Sequence, residues 1–200
     1  MKKPKVFCLD LEGILLPEIW IQVARRFRVE GLKLTTRDEP DYDKLMRYRL
    51  RLLRKKEIRL RDIQRVIGQM RPLPGAEKFL AKLKAAGPVI ILSDTYYEFM
   101  QTVMGKLRHP ALFCNSLQAD QRGFLSGYRL RQREGKRKAV QALKTLGFQV
   151  RAVGDSYNDL GMLKAADRGV FFNPPPSIRK EYPQFPAARS YSRLLRLLLR

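Results

Sequence analysis

Cysteine and histidine are scarce in this 200-residue sequence. The two cysteines, Cys8 and Cys114, each lie inside an apolar stretch, which excludes a disulfide framework and predicts two reduced thiols in the core. The single histidine, His109, rules out a histidine-rich zinc site and argues against Ser-His-Asp catalysis. Its position beside Pro110 is typical of a loop, so the chemistry must be sought among other residue types.

Long hydrophobic runs are also missing from the sequence. No apolar stretch is long enough to span a bilayer, and the first ten residues lack the apolar segment and cleavage site of a secretory signal. We therefore expect a cytoplasmic protein. With 44% hydrophobic and 30% charged residues, the composition predicts a soluble, globular chain of one domain, or of one domain with an insert.

Acidic residues are outnumbered, since 41 Lys and Arg face 19 Asp and Glu and leave a net charge of +22. Such an excess favours polyanions or small anionic substrates as ligands. One alternative is therefore a basic RNA- or membrane-surface-binding protein, with the Leu/Arg-rich end of the chain as an anchor. No RNA-binding, zinc-finger or nucleotide-loop motif accompanies the charge, so nucleic acid is disfavoured but left open. A homo-oligomer is compatible with the sequence.

Apolar runs that end in polar clusters alternate with helical patterns along the chain. The runs predict strands at 5–10, 88–94, 149–155 and 169–172. The helical patterns fall at 75–86, 96–107, 136–146 and 158–166. This alternation predicts an α/β fold with a parallel sheet, whose ligands bind at the carboxyl ends of the strands. We also expect a hairpin at the sheet edge within 115–135 and a terminal helix at 192–200.

The segment between the first two strands is too long for an ordinary crossover. We predict a small helical cap at 15–74, inserted into a core made of 1–14 and 75–200. The clearest cap helix is 43–56, where Arg49 interrupts a stripe of leucines. An arginine in that position either pairs with an internal carboxylate or binds an anionic ligand, and the pattern alone does not decide between them.

Asp10 and Glu12 leave the first strand two positions apart. In an extended chain their side chains point the same way, about 6 to 7 Å apart, and could flank one substrate. A carboxylate at the first position can attack phosphorus, while the second can protonate the leaving oxygen and later activate a hydroxyl or water. As an isolated pair the signal is weak, because such pairs also occur on solvated loops.

Polar residues follow two further predicted strands. Asp155 and Asp159 offer hard oxygen ligands that suit Mg²⁺, and we count Asp10 and Glu12 in the same metal site; a simple strand-to-helix turn is the alternative. Ser93 ends the second strand, where a hydroxyl and amides at a helix start could hold phosphoryl oxygens. We assign it, with the neighbouring Asp94, to a phosphate site.

Phosphoryl transfer also needs a fixed cation to offset charge in the transition state. Lys136 is our candidate, because it begins the helix that precedes the strand ending at Asp155. Arg137 and Lys138 adjoin it, so the assignment could shift by one or two positions, or all three could be solvated.

The order of these motifs along the chain resembles that of the haloacid dehalogenase superfamily of phosphatases. The motifs are a strand ending in Asp-x-Glu-Gly, a strand ending in Ser, a basic residue and Gly-Asp-x-x-x-Asp. The resemblance implies a Rossmann-like core with a cap and an aspartyl-phosphate mechanism. Most superfamily phosphatases have Asp where Glu12 stands, so the reach to the leaving group differs here. The implied roles are nucleophile for Asp10, acid and base for Glu12, phosphate binding for Ser93 and Lys136, and Mg²⁺ binding for Asp155 and Asp159.

Five segments narrow the resemblance to bacterial phosphoserine phosphatases that also act as phosphoserine:homoserine phosphotransferases. These segments are 10–20, 35–43, 92–99, 154–159 and 182–187. The resemblance implies that Glu18 meets the ammonium group of phosphoserine, that Arg49 meets its carboxylate, and that Asn158 and Ser93 touch the substrate. It implies a Mg²⁺-dependent phosphatase that also transfers phosphate to homoserine. A haloacid dehalogenase-type phosphatase for another small phosphomonoester is the alternative.

Overall fold

Seven strands form one sheet in the computed structural model, which describes residues 3–35, 38–39 and 41–200. The strands are β1 Lys5–Leu9, β2 Val89–Tyr96, β3 Ala111–Ala119, β4 Leu125–Arg129, β5 Gln149–Gly154, β6 Arg168–Phe172 and β7 Ala187–Ala188. Their spatial order is β4-β3-β2-β1-β5-β6-β7, and all neighbours are parallel except β3 and β4. The mostly parallel α/β sheet predicted from the sequence is confirmed.

Helices cover both faces of this sheet. They are α1 Ile19–Phe27, α2 Tyr42–Lys55, α3 Leu60–Gln69, α4 Ala76–Ala86, α5 Tyr97–Met100, α6 Gly135–Thr145, α7 Leu160–Ala165, α8 Pro176–Glu181 and α9 Tyr191–Leu199. Short 3₁₀ helices occur at Glu30–Lys33, Met104–Leu107 and Tyr157–Asp159. None of the helices in the described ranges combines the length and the apolar character needed to cross a membrane.

Strand β1 lies at the centre because its side chains are apolar on both faces. Phe7 and Leu9 pack into a core that also contains residues of α4 and α9, while Val6 and Cys8 pack against residues of α6 and α7. Burying each large side chain contributes roughly 1.5–3 kcal/mol, so this strand is fixed firmly in the sheet. Both cysteines are free and buried, as the sequence predicts.

Helices α1, α2 and α3 lie between β1 and α4. Asp41 caps the N-terminus of α2, because its side chain accepts a hydrogen bond of 3.0 Å from the backbone N–H of Lys44. Arg49 is buried on the apolar side of α2. The division into a cap at 15–74 and a core at 1–14 and 75–200 stays a prediction.

The chain that follows β2 differs from the sequence prediction. The helix predicted at 96–107 is wrong, because β2 runs to Tyr96 and is followed by the single turn of α5 and a separate 3₁₀ helix. Arg108 and His109 both have positive φ, which ends the helical path before β3.

The predicted hairpin is present as β3 and β4, whereas β7 and α8 were not predicted. Within the motif segment 35–43, Thr36, Arg37 and Pro40 lie outside the described residues.

Candidate active site

Asp10 follows the last residue of β1 and is 5% exposed. Its backbone N–H donates to the carbonyl of Val153 on β5 at 2.9 Å, and its Oδ1 accepts from the N–H of Leu11 at 2.8 Å. Gly13 has a φ of +73°, and a Cβ there would lie 2.3 Å from Oδ2 of Asp155. The loop after β1 can approach Asp155 only because residue 13 lacks a side chain.

Lys136 lies in the first turn of α6 and extends its buried ammonium group among three carboxylates. Its Nζ is 3.0 Å from Oδ1 of Asp10, 2.8 Å from Oδ1 of Asp159 and 3.3 Å from Oδ2 of Asp94. Burial works against the charged form, but these carboxylates outweigh it and raise the pKa of Lys136 well above its ordinary value.

The alternative cations turn away from this cluster. Arg137 forms a two-bond contact with Glu134, from Nε at 2.9 Å and from Nη2 at 2.6 Å, and its side chain is 36% exposed. Lys138 is half-buried on α6, and no ion pair joins it to a described residue. Of the three predicted candidates, Lys136 is therefore the one that the structure brings to Asp10.

Three carboxylates form a cluster with ligand oxygens that all lie within 4.8 Å of one another: Asp10, Asp155 and Asp159. Asp159 is fully buried, and its Oδ2 accepts from the N–H groups of Asp155 at 3.0 Å and Ser156 at 3.2 Å. Burial and the charge of Asp159 raise the pKa of Asp155 to about 6. Crowded hard oxygen donors of this kind fit a divalent cation such as Mg²⁺.

Gly154, the last residue of β5, makes room for this cluster. A Cβ at that position would lie 2.3 Å from Cβ of Asp159, so only glycine lets the Asp159 side chain fold back over the strand end.

Glu12 lies in the loop between β1 and α1 and is not part of the carboxylate cluster. Its Oε1 accepts from the N–H of Ile19 at 2.8 Å, which holds it against the first turn of α1. Burial, followed by the charge of Glu18, raises the pKa of Glu12 to about 8. The carboxyl group is therefore protonated at neutral pH and can donate a proton. Its predicted role as a metal ligand stays a prediction.

Ser93 is buried and lies within β2, not at the end of that strand as we predicted. The pairing of β2 with β3 shifts register between Leu92 and Tyr96, so the backbone is irregular at Ser93 although the strand continues. Its Oγ accepts from the N–H of Thr95 at 3.2 Å. The expected helix start does not follow directly, because α5 begins only at Tyr97.

Asp94 and Asn158 meet beside Lys136. The amide Nδ2 of Asn158 donates to Oδ2 of Asp94 at 3.1 Å, and the same oxygen contacts Lys136. Asp94 therefore orients an amide and an ammonium group. A carboxylate repels a phosphate, so a phosphate contact by Asp94, which stays a prediction, would have to come from its backbone N–H.

An open cavity of about 270 Å³ connects this region with the helices that follow β1. Its lining includes Glu12 and three of the four residues predicted to touch the substrate, Glu18, Arg49 and Asn158; Ser93 is not part of the lining. Glu18 is exposed at the residue that precedes α1. The structure thus brings the predicted amino-acid contacts and the predicted proton donor to one cavity.

Arg49 forms no salt bridge with a carboxylate among the described residues. Its Nη2 donates to the carbonyl of Leu34 at 2.6 Å and its Nη1 lies 3.8 Å from Sδ of Met46. Its buried Nε has no hydrogen-bond partner, and no salt bridge joins Arg49 to a residue in the described part of the chain. Burial lowers the pKa of the guanidinium. The uncompensated charge favours an anionic ligand.

Two aromatic residues of the cavity wall, Trp20 and Tyr42, were missed at the sequence level. The hydroxyl of Tyr42 shares a hydrogen bond of 2.5 Å with that of Tyr96, which joins α2 to β2. A signal was available for Tyr42, because it precedes Arg49 by seven residues and therefore lies on the same face of α2. Trp20 gave no such signal beyond its proximity to Glu18.

The chain is similar to known proteins over most of its length. A family profile described as haloacid dehalogenase-like hydrolase matches residues 4–167. A protein of Pseudomonas aeruginosa named phosphoserine phosphatase ThrH is 47% identical over 196 residues, covering 98% of this chain and 96% of that protein. A phosphoserine phosphatase of Pseudomonas syringae pv. tomato is 47% identical over 190 residues, covering 95% of this chain and 80% of that protein.

Solved structures resemble the fold over nearly its whole length. A structure described as a phospho-aspartyl intermediate analogue of phosphoserine phosphatase superposes with a TM-score of 0.79 and 23% identity, covering 98% of this chain and 99% of that one. An apo phosphoserine phosphatase gives a TM-score of 0.78, also at 23% identity, with 98% and 100% covered. At this identity the two structures support the fold.

Proposed function

Because this chain belongs to the haloacid dehalogenase-like hydrolases, we propose that it is a Mg²⁺-dependent phosphoserine phosphatase that also transfers the phosphoryl group to homoserine. The names of the 47% identical relatives support phosphoserine as the substrate. The observation that carries the proposal is the unpaired Arg49 in a cavity that also contains Glu12 and Asn158. The free, buried thiols support a cytoplasmic location.

Asp10 is the nucleophile in this proposal. Its Oδ1 is held by the N–H of Leu11 and by Lys136, so we assign the attack on phosphorus to Oδ2. The P–O bond to serine breaks as the bond from Asp10 to phosphorus forms, which leaves an aspartyl-phosphate. Lys136 offsets the negative charge that develops on the phosphoryl oxygens. We assign the hydroxyl of Ser93, which is buried in β2, as a donor to one of these oxygens.

Glu12 supplies the proton that the leaving serine oxygen needs. Its raised pKa of about 8 keeps the carboxyl group protonated in the free enzyme at neutral pH, and the N–H of Ile19 fixes its orientation. After donation Glu12 is a carboxylate, and it can take a proton from the hydroxyl that attacks the aspartyl-phosphate. The proton is thereby returned, and one residue serves both halves of the reaction.

Asp10, Asp155 and Asp159 are the residues that would hold Mg²⁺. The ion, when bound, supplies positive charge that offsets the phosphoryl group. The protein fixes this donor set through Gly154 and through the N–H groups that hold Asp159.

The acceptor in the second half-reaction is water or homoserine. Homoserine has the ammonium and carboxylate groups of serine, so Glu18 and Arg49 can hold both amino acids in the same cavity. A bound homoserine hydroxyl competes with water for one aspartyl-phosphate, and the partition depends on how well the cavity excludes water.

The test incubates the protein with L-phosphoserine and Mg²⁺, with and without homoserine, and follows inorganic phosphate and phosphohomoserine by ³¹P NMR. We expect phosphate release in both reactions and phosphohomoserine only when homoserine is present. Asp10→Asn and excess EDTA are the controls, and both should abolish turnover. Hydrolysis of other monoesters with no turnover of phosphoserine would refute phosphoserine as the substrate and favour a phosphatase for another small phosphomonoester. Phosphate release without phosphohomoserine would refute the transferase half.

A further inference from the structure

Trp20, the only tryptophan of the chain, contacts the guanidinium of Arg49. The Cζ of Arg49 lies 4.5 Å from the centroid of the indole ring. The ring of Phe99 meets the same indole edge-on, with centroids 5.6 Å apart and an interplanar angle of 70°. Trp20 also borders the cavity that contains Arg49 and Glu18. The indole is thus held by the core on one side and contacts a buried cation on another.

The remaining contacts of Arg49 fix only part of its guanidinium. Nη2 is held by the carbonyl of Leu34 and Nη1 approaches Met46, whereas the buried Nε–H has no hydrogen-bond partner among the described residues. The contact of Nη1 with the Met46 sulfur, at 3.8 Å, is weak, so the hydrogen bond to Leu34 is the main polar contact of the group. A planar cation that must present two parallel N–H bonds to a carboxylate needs its plane to be fixed before the ligand arrives.

We propose that Trp20 is the positioning residue for Arg49. Its ring orients the guanidinium so that Nε and a neighbouring N–H can take the carboxylate of an amino-acid substrate. A cation–π contact in a desolvated site supplies this orientation, because the attraction is strongest when the cation lies over the ring face. This inference rests on the proposed phosphoserine phosphatase function, and it adds a residue that determines specificity for the amino-acid part of the substrate.

Kinetics of two Trp20 variants test the inference. Trp20→Leu keeps an apolar side chain but removes the ring, and we expect KM for L-phosphoserine to rise about tenfold with kcat nearly unchanged, equivalent to about 1.4 kcal/mol. Trp20→Phe keeps a ring and should recover part of that loss. Turnover of p-nitrophenyl phosphate, which has no carboxylate, should change less than twofold. Phe27→Leu, two turns further along α1, is the matched control and should leave both KM values unchanged.

Fluorescence provides a readout that is independent of turnover. Emission comes from Trp20 alone among tryptophans, so L-phosphoserine added to an Asp10→Asn variant should change it saturably, and an added Arg49→Ala substitution should remove the change. Binding detected by equilibrium dialysis without an emission change would overturn the inference. So would an unchanged KM for phosphoserine in Trp20→Leu, or an equal loss on both substrates. A wild-type protein that hydrolyses the aryl phosphate but not phosphoserine would instead refute the proposed function, and this inference with it.

Discussion

Replacing Arg49 by Met tests whether the protein retains this arginine for its ligand rather than for stability. The substitution keeps the approximate length of the side chain and removes a buried charge that forms no salt bridge within the described part of the chain. The variant loses the hydrogen bond to Leu34, which contributes about 1.5–3 kcal/mol to the free energy of unfolding for a charged donor. It also loses the contact with Trp20, which contributes about 1–2 kcal/mol. The variant no longer buries an unpaired ion, and the desolvation penalty of several kcal/mol that the wild-type protein carries is removed. We therefore expect the free energy of unfolding to change by no more than about 1 kcal/mol.

Activity should respond very differently in the same Arg49→Met variant. Removing one partner of a buried charge pair costs about 3 kcal/mol in binding, so kcat/KM for L-phosphoserine should fall roughly 150-fold. Turnover of p-nitrophenyl phosphate should remain within about threefold of wild type, since that substrate has no carboxylate. Urea denaturation and steady-state kinetics on the two substrates measure these outcomes. A loss of more than 3 kcal/mol in stability, or equal loss on both substrates, would show that Arg49 is structural.

Three further predictions follow from the same geometry. Lys136→Met should lower kcat/KM by about 10²–10³-fold, whereas Arg137→Ala should stay near wild type; the reverse order in steady-state assays would move the cation's role to Arg137. Gly154→Ala places a Cβ against Asp159 and should lower the free energy of unfolding, measured in urea, by about 1–3 kcal/mol. Gly161→Ala is the control and should not destabilise the protein, because its Cβ would make only ordinary van der Waals contacts. Equal stability of the two variants would contradict the packing around Gly154. Burial raises the pKa of both cysteine thiols to about 12, so mass spectrometry should find no alkylation of the native protein at pH 8 and two labels in denaturant; rapid labelling of the native protein would contradict this burial.

The sheet could be predicted because its central strands are short apolar runs that end in polar clusters. That pattern arises when a parallel strand is buried on both faces, and it placed β1, β2, β5 and β6 in the sequence. Hydrophobic periodicity gave a wrong prediction for the segment after β2. Residues 96–107 have a helical pattern, yet Tyr96 completes the strand, and tertiary contacts with β3 decide where the helix begins.

The catalytic cluster could be predicted in part, because it lies at the ends of predicted strands. Asp10, Asp155 and Asp159 follow from strand order alone, since the carboxyl ends of parallel strands meet at one edge of the sheet. To choose between Lys136 and its neighbours, one must know where each side chain points on α6. A run of adjacent basic residues in the sequence does not give that direction. Trp20 was missed for a related reason, because its contact with α2 joins two helices whose packing the sequence does not specify.

The charge balance of the site explains why a divalent cation belongs in the proposal. Asp10, Asp155 and Asp159 contribute three carboxylates to one cluster, and Lys136 is the cation that pairs with two of them. Burial and mutual repulsion already raise the pKa of Asp10 and Asp155. A phosphate monoester adds up to two negative charges, which one lysine does not offset at this distance. The net charge of +22 attracts such an anion through solvent, but screening limits it to guiding the approach. Positive charge inside the site must therefore come with the substrate or with a bound metal ion, and the clustered carboxylate oxygens favour the metal ion.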